Sequence, residues 1–166
     1  MDTNIIRNKI LSLLERNAKY TIKELSVFLD IPEERVEAGI AGLEKEQIIC
    51  GYGALINWDK TDSDFLTALI EVKVSPVRGQ GFNSIAERIG RFDEVKSLYL
   101  MSGGFDLAII VEGRSLKDIA AFVSDKLSPL ESVLSTATHF VLKKYKDHGI
   151  VFDEQDCSDE RMIVSP

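Results

Sequence analysis

Apolar positions recur at helical spacing through the first 46 residues and then alternate from about residue 65 onward. Ile6, Ile10, Leu13 and Leu14 fall on one face of a helix predicted over about Thr3 to Arg16, with Arg7, Lys9 and Glu15 elsewhere on its surface. Asn17-Ala18-Lys19-Tyr20 is the turn that follows. Thr21, with Glu24 three residues on, forms a capping box: the hydroxyl takes one orphan N–H and the carboxylate takes another. Leu25, Phe28 and Leu29 give a short apolar stripe on a second helix, about Ile22 to Leu29. Asp30 and Ile31 break it, and Pro32 suits the first turn of a third helix, where its missing N–H costs nothing. Val36, Ile40 and Leu43 repeat along that helix to about Glu46. Two helices joined by a tight turn, with a third upstream, is the pattern of a helix-turn-helix.

Ile48 to Trp58 is β-rich and punctuated by Gly51 and Gly53, which predicts a strand with a wing-like turn or bulge. Asp59 to Asp64 is a polar hinge. Beyond it Leu66, Ala68, Ile70, Val72 and Val74 alternate with Thr67, Leu69, Glu71 and Lys73, the period of a strand. Phe82, Ile85, Ala86 and Ile89 mark a helix ending near Gly90, a fitting C-cap. Val95 to Met101 and Asp106 to Glu112 read as strands around a Gly-Gly turn. Ser115 starts a helix that Pro129 ends, and Val133 to Tyr145 is a long last strand. The order βαββαβ predicts an α+β, ferredoxin-like domain: a four-stranded antiparallel sheet with two helices on one face. The expected layout is a winged helix-turn-helix over 1–50, a connecting strand and hinge over 51–64, the ferredoxin-like domain over 65–146 and an acidic extension over 147–166. Within that extension Met162-Ile163-Val164 is either a short strand or part of a tail.

The net charge of −7 does not advertise nucleic-acid or membrane binding. Cys50 and Cys157 suggest free thiols in a reducing compartment rather than a disulfide framework. The N-terminus does not read as a signal peptide, and no apolar run approaches the roughly 20 residues needed to span a bilayer. We expect a cytoplasmic protein. Gly79-x-Gly81 follows a strand and opens a helix but lacks the rest of a phosphate-binding motif. His139 and His148 have no partners at metal-ligand spacing, and nothing resembles a nucleophile with its base. No cofactor and no metal are expected. In the turn Ser102-Gly103-Gly104-Phe105-Asp106, two glycines expose N–H groups able to hold a carboxylate, and Asp106 is able to hold an ammonium. Those two ends describe a free amino acid; a plain hairpin turn is the other reading.

The order of parts, with L-E-K-E-Q-I-I-x-G-Y from Leu43 to Tyr52, M-S-G-G-F-D-L from Met101 and T-A-T-H-F-V-L-K-K-Y-K on the last strand, resembles the Lrp/AsnC family. These are the leucine-responsive, or feast/famine, transcription regulators, and the resemblance covers residues 1 to about 148. It implies that the second half is an amino-acid-sensing (RAM) domain whose sheets pair into dimers, with dimers often assembling into octamers. It places a small-molecule effector between subunits at Met101, Ser102, Gly103, Gly104, Phe105 and Asp106, with Ser135, Thr136 and Thr138 as weaker candidates. It also implies a double-stranded DNA partner for the first half.

The third helix departs from the family pattern. Between Pro32 and Glu46 it carries Glu33, Glu34, Glu37, Glu44 and Glu46 against Arg35 and Lys45, a balance of −3. Family recognition helices are usually basic, and phosphate neutralisation by Lys and Arg carries most DNA affinity. The basic candidates are Lys19, Lys23, Arg35 and Lys45, with Arg7 and Lys9 on the first helix. We therefore expect weak, salt-sensitive DNA binding. The alternative is an oligomeric amino-acid-binding module that has lost it. Some relatives use this architecture for sirohaem decarboxylation, but two imidazoles and no basic cluster give no reason to expect an enzyme.

Overall fold

The computed structural model describes residues 3–76 and 81–152. The chain forms two compact units, Met1–Leu55 and Ile56–Pro166.

The first unit holds three helices: α1 (Thr3–Arg16), α2 (Ile22–Leu29) and α3 (Glu33–Lys45). Ile6 and Ile10 of α1, Leu29 of α2 and Leu43 of α3 form its buried centre, with Leu13, Leu14, Ile40 and Ile49 packed around them. The capping box is formed as expected. Thr21 Oγ1 accepts the Glu24 N–H at 3.2 Å, and Glu24 Oε2 accepts the Thr21 N–H at 2.8 Å. Asp30 ends α2 in the left-handed region at φ 53°, a conformation Asp tolerates better than most residues. Gln47 does the same for α3 at φ 56°, and the Ile48 N–H reaches Leu43 O at 2.9 Å to close it. Phe28 does not join the core. It is 55% exposed and packs edge-on against Tyr20, because an eight-residue helix turns only the Leu25–Leu29 pair inward.

The strand expected over Ile48 to Trp58 does not form. Among the described residues no segment pairs with it, and β-prone side chains do not make a strand without a ladder partner. The three helices therefore carry no wing within the described chain. Trp58–Lys60 makes a single 3₁₀ turn.

The second unit is built on β1 (Leu66–Val74), α4 (Asn83–Ile89), β2 (Val95–Leu100), β3 (Leu107–Gly113), α5 (Leu116–Ala121) and β4 (Val133–Phe140). The four strands form one antiparallel sheet in the order β2-β3-β1-β4, the expected ferredoxin-like arrangement. Ala68, Ile70, Val72 and Val74 of β1 and Leu107, Ile109 and Val111 of β3 bury against Ile85 and Ile89 of α4 and Ile119 and Phe122 at the second helix. That helix continues from α5 as a π-helical segment, Phe122–Leu127, with the Ser128 N–H bonded to Val123 O at 2.8 Å. The wider turn lets Phe122 and Leu127, five residues apart, both enter the core.

Gly90 closes α4 at φ −64°, so the left-handed cap read from its position is absent. The last strand ends at Phe140, short of Tyr145. The β1–β4 register runs out at Ala68↔Phe140, with little of β1 left to pair. Lys146–Asp147 (β5) and Ile150–Val151 (β6) instead form a small hairpin, at the start of what reads in sequence as an extension. His148 and Gly149 supply its two positive φ angles. Gly79 of the glycine pair and Met162-Ile163-Val164 lie outside the described residues.

Candidate functional site

The site residues expected from the sequence fall mainly on two features: the outer surface of the three-helix unit and the turn between β2 and β3. On the first, Lys19 in the turn before α2, Lys23 in the first turn of α2, and Arg35 and Lys45 on α3 are all exposed. Arg7 is committed elsewhere. Its guanidinium forks onto Glu46 just past α3, with Nη1–Oε1 at 3.0 Å and Nη2 on Oε2. That hydrogen-bonded fork holds the Glu46 carboxyl below the ordinary glutamate range and raises Arg7. Glu44 accepts a hydrogen bond from the Tyr52 hydroxyl at 2.8 Å. Burial, and then that carboxylate, push the Tyr52 phenol up. Two of the acids in this stretch are thus engaged within the unit. Glu33, Glu34 and Glu37 stay exposed, the first two in the first turn of α3, where the helix dipole favours a negative charge.

Met101 to Asp106 link β2 to β3 as one exposed to half-buried turn. Its two ends are fixed. The Met101 N–H donates to Asp106 O at 2.8 Å, and the Asp106 N–H donates to Val72 O at 3.0 Å. Asp106 Oδ2 accepts the Val74 N–H at 2.8 Å. Between those ends the N–H groups of Ser102, Gly103, Gly104 and Phe105 have no acceptor among the described residues. Neither glycine has a positive φ, and a Cβ built on either meets nothing within 4 Å. The chain itself therefore makes no demand for glycine at 103 or 104. What the two residues provide is exposed main chain whose N–H groups no described acceptor takes.

Pairing register decides which face each β4 residue shares. Thr136 and Thr138 stand opposite Val72 and Ile70, on the helix-covered side, and are half-buried. Ser135 stands opposite Lys73 on the open side and is exposed. The three weaker effector candidates thus divide between the two faces. Alternation along the strand is enough to predict that division, but not which face the helices cover. Leu100 and Leu134, 61% and 68% exposed, carry no signal in sequence beyond their apolar character; each lies on a strand bordering this end of the sheet.

The open side also presents Leu69, Ile110, Ala108 and Tyr99, with Glu71 Oε1 3.4 Å from His139 Nε2. A crevice lined by Trp58, Phe65, Thr67, Val141 and Lys144 has about 40 Å³ of free volume, room for water but not for an amino acid. Among the described residues there is no cluster of three or more potential metal ligands, and no helix is long and apolar enough to cross a membrane.

Residues 67–151 match the family model described as the Lrp/AsnC ligand binding domain. The chain is 50% identical over 159 residues to YugG of Bacillus subtilis, named as an uncharacterized HTH-type transcriptional regulator, covering 95% of each chain. It is 26% identical over 142 residues to the proline dehydrogenase transcriptional activator of Rhizobium radiobacter, covering 86% of this chain and 90% of that one. Among solved structures it resembles the transcriptional regulator NMB0573 of Neisseria meningitidis in complex with L-Met. The TM-score is 0.69 at 25% identity, covering 86% of this chain and 91% of that one. AsnC of E. coli shares the fold with a TM-score of 0.64 at 22% identity, over 87% of this chain and 93% of that one. These relatives are named as regulators of transcription, not as enzymes.

Proposed function

Since this chain belongs to the Lrp/AsnC family of transcriptional regulators, we propose that it binds double-stranded DNA through its helix-turn-helix and senses an amino acid or related small metabolite at the turn Met101 to Asp106. The observation that carries the sensor reading is the row of unpaired N–H groups over Gly103 and Gly104, open to a carboxylate. The L-Met complex of the Neisseria regulator supports the same ligand class. Leu100 and Met101, at the start of the turn, add exposed apolar surface for a side chain. Two copies pair through the open sheet face, whose Leu69, Ile110 and Tyr99 offer apolar contact and whose Glu71 and His139 offer charge, and dimers assemble further into octamers. An effector that favours one assembly over another shifts DNA affinity by at most that free-energy difference, and only where the two assemblies differ in DNA affinity.

DNA contacts fall to Lys19, Lys23, Arg35 and Lys45. With Glu37 exposed on α3, the affinity is modest and steeply salt-dependent. That same glutamate favours a second reading, a sensor that no longer binds DNA. Fluorescence anisotropy on DNA from upstream of the protein's own gene, over a salt series and with and without pooled amino acids, decides between them. Sequence-selective binding with a steep negative salt slope supports the regulator. A folded oligomer that binds the pool but no DNA at low salt supports the sensor alone.

A further inference from the structure

We infer that Asp106 is a positioning residue of the effector turn and not the group that receives an amino acid's ammonium. This rests on the sensor reading of that turn. The β1–β3 register ends at Val72↔Leu107, so beyond it the buried Val74 N–H has no main-chain acceptor on β3. Asp106 Oδ2 takes that N–H at 2.8 Å, while its own N–H goes to Val72 O at 3.0 Å. Both bonds run to β1. The side chain replaces the missing rung of the ladder, and a buried donor left without one is expensive. The same residue closes the turn through Met101, so Asp106 ties the row of open N–H groups to the end of β1. It sets where a carboxylate would be held, and one of its two oxygens, Oδ2, is already taken within the fold.

Charge and hydrogen-bond acceptance separate the two roles. Asp106→Asn keeps a carbonyl oxygen for Val74 and loses the negative charge; Asp106→Ala loses both. In the full-length protein, amide hydrogen exchange at Val74 is read together with titration of L-methionine and, in parallel, the other protein amino acids. The expected result is that Asn preserves Val74 protection and binds within about threefold of the parent, while Ala speeds Val74 exchange and weakens binding by about tenfold or more. If Asn keeps Val74 protected yet loses binding by tenfold or more, Asp106 is the ammonium ligand and the inference is overturned. Equal Val74 exchange in the parent and the Ala variant also overturns it. If the parent binds no amino acid, the sensor reading fails, and Val74 exchange in the two variants still decides whether Asp106 holds the turn.

Discussion

Gly39 of α3 lies against Ile10 of α1 so closely that a Cβ at position 39 would stand 2.9 Å from Ile10 Cδ1. Ile10 is completely buried, so its side chain has little room to yield. Glycine in a helix interior costs about 1 kcal/mol relative to alanine, and here that cost brings two helices together. At Gly42, one turn on, an added methyl would meet nothing within 4 Å, so no close contact calls for glycine there. Gly42→Ala should therefore stabilise the unit by about 0.5–1 kcal/mol. Gly39→Ala should gain less or lose stability, because the methyl has to displace Ile10. Thermal or urea melts of the two variants test this, and an equal gain in both would mean that the α1–α3 contact is slack.

Gly103→Ala and Gly104→Ala separate fold from function. Neither position has a positive φ and neither methyl meets an atom of the chain, so each variant should melt within about 1 kcal/mol of the parent or slightly above it. Each places a methyl beside the open N–H row. Binding of amino acids should fall in at least one of them, read by calorimetric titration at unchanged melting temperature. Undiminished affinity in both would remove the turn from the site.

Acid should loosen the helical unit through Glu46. Its folded carboxyl sits below the ordinary range because Arg7 forks onto it. A group whose pKa is depressed by folding contributes stability that is present above its unfolded value and lost as pH falls through the folded one. Glu24, lowered by the Thr21 capping bonds, acts in the same direction. Melting temperature should be flat near neutrality and fall as the solution is taken into the carboxylate range. Glu46→Gln should flatten part of that fall, and salt should weaken the parent's advantage over it. Since Glu46 is half exposed, the effect should be small, and circular dichroism melts of parent and variant between neutral and acidic pH measure it.

The capping box at Thr21 and Glu24, the order of elements and the alternation along β1 are all legible in sequence because each depends on residues close together in the chain. Pairing is less so. Ile48 to Trp58 has the composition of a strand but no described partner, and the last strand stops where little of β1 is left to pair. The turn at Met101 to Asp106 stands out by its glycines. A Gly-Gly pair suggests a tight hairpin built on left-handed backbone, yet neither glycine adopts it, and the turn is held through Asp106 on β1 instead. That bond joins residues 32 apart, and nothing local announces it. The Arg7–Glu46 fork, spanning 39 residues, is invisible in sequence for the same reason.

On the proposed DNA-binding reading, Glu37 is the acid of α3 whose removal tests the interface most directly. Glu44 is occupied by Tyr52 and Glu46 by Arg7, while Glu33 and Glu34 sit where the helix dipole favours them. Glu37 is exposed one turn into α3, where a recognition helix approaches the groove. A carboxylate there repels phosphates and is able to accept only from cytosine or adenine amino groups. Glu37→Gln removes the charge and keeps an acceptor, so affinity for non-specific duplex should rise in low salt. By contrast, Lys23→Gln should lower affinity for all sequences alike and reduce the salt slope by about one counterion. Anisotropy titrations of both variants on a specific and a scrambled duplex distinguish the cases. If Glu37→Gln gains on the scrambled duplex but loses on the specific one, Glu37 reads a base. If it gains equally on both, it acts only as a brake on affinity. If neither variant differs from a parent that binds, α3 and Lys23 do not face DNA; if the parent itself binds neither duplex at low salt, the sensor without DNA binding is the function that remains.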